Sequence, residues 1–210
     1  MNAWRERVRD LLRPGPHLPG AGLLVGAAAC VVFAVVSLPL PDATASAFTA
    51  ALLSTIATLL LTGAANEEAL ARTVDRLGPQ EGIATQALLA VGLAVATKVA
   101  LLAVLASQSA GGVLAALLAA HAVSRFWTLC IDGAPPDRRG LAVASAWCLP
   151  ALGLMLLAGG PAFVLVAVAA SALAWWLLRR HGPDHADTAG ATQQVCEVAF
   201  YLGAAFGLRG

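Results

Sequence analysis

The feature that most constrains this chain is a succession of apolar runs separated by short polar or helix-breaking connections. A helix needs roughly 20 predominantly apolar residues to cross a bilayer. Runs of that kind lie near residues 19–39, 45–65, 83–105, 111–131, 140–158, 161–178 and 191–208. The breaks are Pro39-Leu40-Pro41-Asp42, Asn66 to Glu81, Ser107-Gln108-Ser109, Asp132 to Arg139, Gly159-Gly160-Pro161 and Arg179 to Asp187. The last run is the weakest, because Gln193, Gln194 and Glu197 dilute its start. Backbone groups in lipid must be satisfied within the segment, which selects helices. The expected fold class is all-α: a polytopic integral membrane helix bundle with about six to seven transmembrane helices, residues 1–210 forming a single membrane domain.

Composition excludes the soluble alternative. The chain is 59% hydrophobic and 12% charged, against roughly 25% charged in soluble domains. So little polar surface cannot coat a water-soluble globule of 210 residues. The formal net charge is +1, so no nucleic-acid partner is expected. Cys30, Cys130, Cys148 and Cys196 all fall in apolar runs without CxxC spacing, which argues against zinc and against a disulfide framework. Residues 1–18 carry no small-residue cleavage site behind a short apolar stretch. They are expected to be a cytoplasmic segment leading into an uncleaved first span.

The basic residues orient the bundle. Arg5, Arg7, Arg9 and Arg13 precede the first span. The second loop carries Arg72 and Arg76, the fourth Arg138 and Arg139, and the sixth Arg179 and Arg180. The first, third and fifth loops contain no Lys or Arg. The positive-inside rule then places the N-terminus and the polar loops 66–82 and 179–190 in the cytoplasm, with the protein in the inner (cytoplasmic) membrane. Gly22 and Gly26 stand in GxxxG spacing, which predicts close helix packing.

Lys98 lies in the third span, His121 and Arg125 in the fourth, and Glu197 in the seventh. A charge at membrane depth normally faces a partner or a wet cavity. Glu197 is a natural partner for Lys98 or Arg125, whether that pair serves a ligand or merely locks helices. His121 shares a face with Arg125 and reads more simply as a packing residue.

Two loops concentrate the remaining polar chemistry. From Asn66 to Gly78 the pattern is helical and amphipathic, with Asn66 expected as the cap and Gly78 as the stop. Glu68, Arg72 and Asp75 share one face, with Glu67 beside them. Such carboxylates suit Mg²⁺ in a phosphate-handling site; the plain alternative is a solvated helix with a Glu68–Arg72 pair. In the second loop, Asp187 or Thr188 is expected to cap the last span, whose N-terminus offers N–H groups to an anion. His181, Asp184, His185 and Asp187 have a metal-ligating composition, but their spacing matches no standard zinc pattern. Adjacent Gln193 and Gln194 entering a span suggest a lined cavity.

The run Asp187-Thr188 followed by Gly190-Ala191-Thr192-Gln193-Gln194-Val195-Cys196-Glu197-Val198 resembles the C-terminal signature of the cobalamin synthase family, the adenosylcobinamide-GDP ribazoletransferases. Leu61-Thr62-Gly63 through Asp75 is similar to that family's acidic segment, Thr-Gly-Gly-x-His-x-Asp-Gly-x-Ala-Asp-x-x-Asp. Pro19 to Gly26 looks like its entry into the first span, and Lys98 and Ser124-Arg125 fall where it also places Lys and Arg. The resemblance covers nearly the whole chain in order. It departs at Asn66 for the histidine, Glu68 for the first aspartate, Ala69 for the glycine and Arg72 for the second aspartate. The family's Lys-Asp-Ser-Arg-Ile-Gly stretch is missing after Gly78.

The resemblance implies a phosphoryl-type transfer that joins adenosylcobinamide-GDP to α-ribazole or its 5′-phosphate, releasing GMP. It implies Mg²⁺ as cofactor, with Glu67, Glu68 and Asp75 as metal ligands. Glu68, Asp75 and Asp187 become catalytic candidates. Lys98 and Arg125 would face phosphate, and Gln193 and Glu197 would complete the substrate cavity. The partners implied are the two substrates and the lipid bilayer, with a second copy or other cobalamin-assembly enzymes also open. Two other functions fit the same residues: a paralogue that binds corrinoid intermediates or a partner synthase without catalysis, and a small transporter built on Lys98, Arg125 and Glu197. The transporter lacks support from inverted repeats or paired broken helices.

Overall fold

The computed structural model describes residues 15–40, 44–77, 83–131, 137–181 and 187–208. The basic segment Arg5 to Arg13, the helix stop at Gly78, and Asp184 and His185 lie outside the described residues. Every described element is a helix: α1 (Leu18–Ser37), α2 (Thr44–Thr62), α3 (Ala65–Leu77), α4 (Ile83–Gln108), α5 (Ala110–Leu129), α6 (Arg138–His181) and α7 (Thr188–Gly207).

Five of these are long and apolar enough to cross a membrane: α1, α2, α4, α5 and α6. At 44 residues, α6 would run about 66 Å if straight, twice a bilayer core. It is instead two arms meeting at Gly160, whose φ of 76° and ψ of −174° interrupt the helix. Glycine tolerates that positive φ, and Pro161 starts the second arm where its missing N–H costs nothing. The first arm descends from Ala144, clustered with Leu129 and Leu18, to Gly159, beside Leu208. The second climbs back, placing the Ser171 hydroxyl 3.0 Å from the Trp127 indole nitrogen. The two runs expected at 140–158 and 161–178 are thus one hairpin.

The last helix is not among the five apolar spans, yet it traverses the bundle. Its start faces Thr128, which donates to the Ala189 carbonyl at 3.4 Å. Its end, Gly207, packs on Ala162 and Phe163 at the far side. Counting both arms of α6, seven rods span the bundle. The protein is a multi-pass membrane bundle.

Helix α5 sits at the centre, with Val113, Ala116, Ala119, Ala120 and Ala122 all buried. The outer faces carry Leu24, Leu60, Leu88, Leu93, Leu157, Leu165 and Phe206, each more than half exposed. Such a belt suits lipid contact rather than water. Small residues set the helix spacing. A Cβ at Gly22 would stand 2.2 Å from the His121 carbonyl oxygen, and one at Gly26 3.0 Å from the Leu118 Cα. The GxxxG pair therefore lets α1 touch the α5 backbone. Ser54 adds a bond from α2 to the Ala29 carbonyl of α1 at 2.9 Å.

Gly22→Ala is expected to lower stability by about 1–3 kcal/mol through overpacking. The check is thermal unfolding of detergent-purified protein against Gly92→Ala. A Cβ at Gly92 would meet nothing within 4 Å, so that control should leave the midpoint unchanged or higher.

The serpentine path brings four things to one end of the bundle: the start of α1, all of α3, the end of α5 and the start of α7, with α3 lying across that end, packed on α7.

Candidate active site

One face of α7 builds a polar column that descends from this end into the bundle. Asp187, Gln194, Glu197 and Tyr201 recur at helical spacing, and α3, α4 and α5 close around them.

The uppermost tier is ionic. Asp187 occupies the N-cap position of α7 but makes no side-chain cap bond, which corrects its expected capping role. Its Oδ1 instead accepts from Arg72 Nε at 2.9 Å and its Oδ2 pairs with Arg76 at 2.8 Å. The Asp187 backbone there is already helical (φ −74°, ψ −17°), not the extended geometry from which a cap side chain reaches back to the first-turn N–H groups. Arg72 also bonds Glu68 at 2.5 Å, the i, i+4 pair expected from the sequence. The Asp187 hydrogen bond, foremost, holds the Arg72 guanidinium above its ordinary range.

The second tier lies one to two turns deeper. Helix α3 begins at Ala65, so Asn66 is inside its first turn rather than capping it. The Asn66 amide meets Gln193 on α7. With the Gln193 oxygen assigned toward the donors, it accepts from Asn66 Nδ2 at 3.0 Å and from both terminal nitrogens of Arg125 at 3.3 Å. Arg125 is fully buried and also donates to the His121 carbonyl at 3.0 Å. Beside them, Gln194 Nε2 donates to Glu67 Oε1. Burial pushes the Glu67 carboxyl above its ordinary range, partly offset by the Lys98 charge. The backbones approach closely here: a Cβ on Gly190 would lie 2.5 Å from the Ala69 Cβ.

The third tier is centred on Glu197, about 14 Å below the start of α7 at 1.5 Å per residue. Its Oε1 pairs with Lys98 Nζ at 3.1 Å and accepts from Tyr201 at 3.4 Å. Its Oε2 stands 3.6 Å from His121 Nδ1. Lys98, His121 and Glu197 are each no more than 5% exposed. Glu197 thus selects Lys98 over Arg125 as its direct partner. His121, expected to be a packing residue, faces this carboxylate instead.

Several buried polar atoms in the column have no hydrogen-bond partner: Glu67 Oε2, Gln194 Oε1, Arg125 Nε and His121 Nδ1; on α3, Asp75 Oδ1 is open as well. Each such atom costs about 1–3 kcal/mol if left dry. Acceptors and donors left open in this way can receive a polar ligand, and Lys98 and Arg125 supply positive charge in the column. Among the described residues, no three His, Cys, Asp or Glu side chains converge as a metal cluster. Of the candidate ligands, Glu68 is taken by Arg72, while Glu67 and Asp75 each keep an open oxygen.

Of the residues singled out in the sequence, Glu68 and Asp187 meet through Arg72, Gln193 meets Arg125, and Glu197 meets Lys98. Asp75 is half-buried, with its Oδ1 enclosed and unpartnered. Arg76, Asn66, Gln194, His121 and Tyr201 are additional members of the column. Arg76 was visible as the next turn after Glu68 and Arg72, and Tyr201 as the next after Glu197.

A family profile described as cobalamin-5-phosphate synthase matches residues 4–205. An adenosylcobinamide-GDP ribazoletransferase of Polaromonas naphthalenivorans is 37% identical over 91% of this chain and 86% of its own length. Proteins of the same name from Albidiferax ferrireducens and a Polaromonas species are 36% and 35% identical. They cover 91% and 98% of the chain, and 86% and 90% of their own lengths. The first alignment runs over 238 positions against a chain of 210 residues, so that relative carries insertions. No solved structure matches the chain. With nearly its whole length matched, the chain belongs to the cobalamin-5-phosphate synthase family.

Proposed function

We propose that this protein is a cobalamin synthase, an adenosylcobinamide-GDP ribazoletransferase that acts at the inner membrane with the α3–α7 face in the cytoplasm. The observation that carries the reading is the buried column of Lys98, Arg125, Gln193 and Glu197 beneath that face, in a chain of this family. In the reaction, an oxygen of α-ribazole or its 5′-phosphate attacks the cobinamide-linked phosphorus of adenosylcobinamide-GDP. The new P–O bond replaces the bond to the bridging oxygen, which leaves with GMP. Such displacements depend mainly on positioning and on neutralising phosphate charge.

Lys98 and Arg125 are suited to the phosphate oxygens, Arg125 through its planar fork. Gln193 holds that fork in orientation, and Glu197 keeps Lys98 aligned from the opposite side. The bilayer around the column excludes water, which strengthens each of these interactions. Mg²⁺ belongs to the proposal as the carrier of the diphosphate. It favours oxygen donors and commonly takes one or two carboxylates alongside substrate phosphates. Glu67 and Asp75 each keep an open oxygen; standing about 12 Å apart along the α3 axis, one of the two would hold the ion, and bound Mg²⁺ would neutralise charge on the leaving GMP. The cytoplasmic placement follows from the basic even-numbered loops.

The test is reconstituted protein with adenosylcobinamide-GDP, α-ribazole and Mg²⁺, measuring GMP release and corrinoid product. GMP formed only with both substrates is the expected result. Binding of adenosylcobinamide-GDP without any GMP would overturn the enzyme and leave a corrinoid-binding paralogue.

A further inference from the structure

The ionic tier at the head of the column joins two segments that are 115 residues apart in the chain. Arg72 stands between Glu68 of α3 and Asp187 at the head of α7, bonded to both. Arg76 takes the second oxygen of Asp187. Glu68, Arg72 and Arg76 form one stripe of α3, each a turn from the next. Two carboxylates held on opposite sides of one guanidinium are close enough to repel each other in its absence. Arg72 relieves that repulsion, and Arg76 adds a second positive charge on the Asp187 side.

An ordinary surface salt bridge would contribute little, but two features separate this one. Asp187 is only 16% exposed, and it bridges two guanidiniums. A divalent cation between two carboxylates from different segments would do the same bridging, with oxygen ligands on both sides. Here a side chain already fills that place, while the two arginines remain 44% and 45% exposed. Their unused N–H donors still face outward.

We propose that the Arg72 guanidinium is a resident cation of the site, standing between Glu68 and Asp187 in place of a bound divalent ion and making the α3–α7 junction metal-independent. The inference rests on the proposed function only for its catalytic significance. Any Mg²⁺ that accompanies the diphosphate is separate from this junction and is left the open oxygen of Glu67 or of Asp75. Arg72 is a positioning residue: it holds the start of α7, and with it Gln193 and Gln194, against α3.

The experiment follows thermal unfolding by tryptophan fluorescence in detergent, without substrate, in millimolar MgCl₂ and in NaCl of equal ionic strength. The wild-type midpoint is expected to be the same in both salts. Arg72→Asp should unfold about 3–6 °C lower in NaCl and regain most of that loss in MgCl₂. Arg72→Gln should fall by a similar amount and regain part of it in MgCl₂, since Glu68 and Asp187 keep their carboxylates around the vacated place. Mg²⁺ that stabilises the wild type as much as Arg72→Asp overturns the proposal, as does an Arg72→Asp variant indifferent to Mg²⁺. If Arg72→Asp yields no folded protein, the wild type and Arg72→Gln decide: a Mg²⁺-stabilised wild type, or an unchanged Arg72→Gln midpoint, is the overturning result. No turnover enters these measurements, so failure of the transferase assay and failure of this proposal are told apart.

Discussion

Glu197→Ala is expected to destabilise the protein by about 3–5 kcal/mol, because it strands the Lys98 charge inside the membrane. Lys98 and Glu197 are paired at 3.1 Å and almost fully buried, and Glu197 also faces Tyr201 and His121. GMP release should fall by about a hundredfold, since misplacing a substrate-binding charge by even 1 Å can cost that much. A second variant separates the two effects. Replacing the pair together, Lys98→Met with Glu197→Leu, removes both charges at similar volume, and buried pairs so replaced often lose little stability. That double variant should melt near the wild type yet remain inactive. If it retains activity, the pair merely locks helices and Lys98 does not serve the phosphates.

The second large effect is expected at Arg125. It is the largest fully buried side chain among the described residues, held by Gln193 and by the His121 carbonyl. Arg125→Ala opens a cavity and leaves Gln193 without its cation, and should lower stability by about 3–5 kcal/mol. Arg125→Lys is the informative comparison. It keeps the charge and most of the volume but loses the planar fork that reaches Gln193 and a phosphate at once. The lysine variant should fold, with kcat/KM for adenosylcobinamide-GDP reduced by about 10²-fold, a loss of about 2.7 kcal/mol of transition-state binding. Steady-state kinetics on the reconstituted protein check it. Wild-type kcat/KM in Arg125→Lys would remove Arg125 from substrate contact.

Much of the fold was legible because the bilayer imposes one length and one polarity on every span. The runs around Leu18–Ser37, Thr44–Thr62, Ile83–Gln108 and Ala110–Leu129 needed only that ruler. Gly159-Gly160-Pro161 marked a break that became the tip of the α6 hairpin. Hydropathy alone would have dropped the last helix, which is not apolar enough to count as a span. It falls short for the same reason that it matters: Gln193, Gln194 and Glu197 are polar because α3, α4 and α5 enclose them.

The site was legible as an inventory but not as a set of pairs. Periodicity put Glu68 beside Arg72, since both lie on one helix. Nothing local could show that Arg72 reaches Asp187, or that Gln194 meets Glu67, 127 residues away. Nor could spacing decide whether Glu197 would take Lys98 or Arg125. Those pairings depend on which helices touch and at what height.

By itself, then, the sequence determined the spans and the identity of the intramembrane charges. Each follows from chain-local physics: the cost of burying polar groups in lipid and the 3.6-residue repeat. Tertiary structure alone decided that a guanidinium stands between Glu68 and Asp187, that His121 faces Glu197, and that Gln193 holds Arg125. Gly190 lets α7 approach α3 closely enough for the first of these contacts, as Gly22 and Gly26 let α1 approach α5. That role is realised only when the partner helix is in place, because a missing Cβ has no effect until something fills its space.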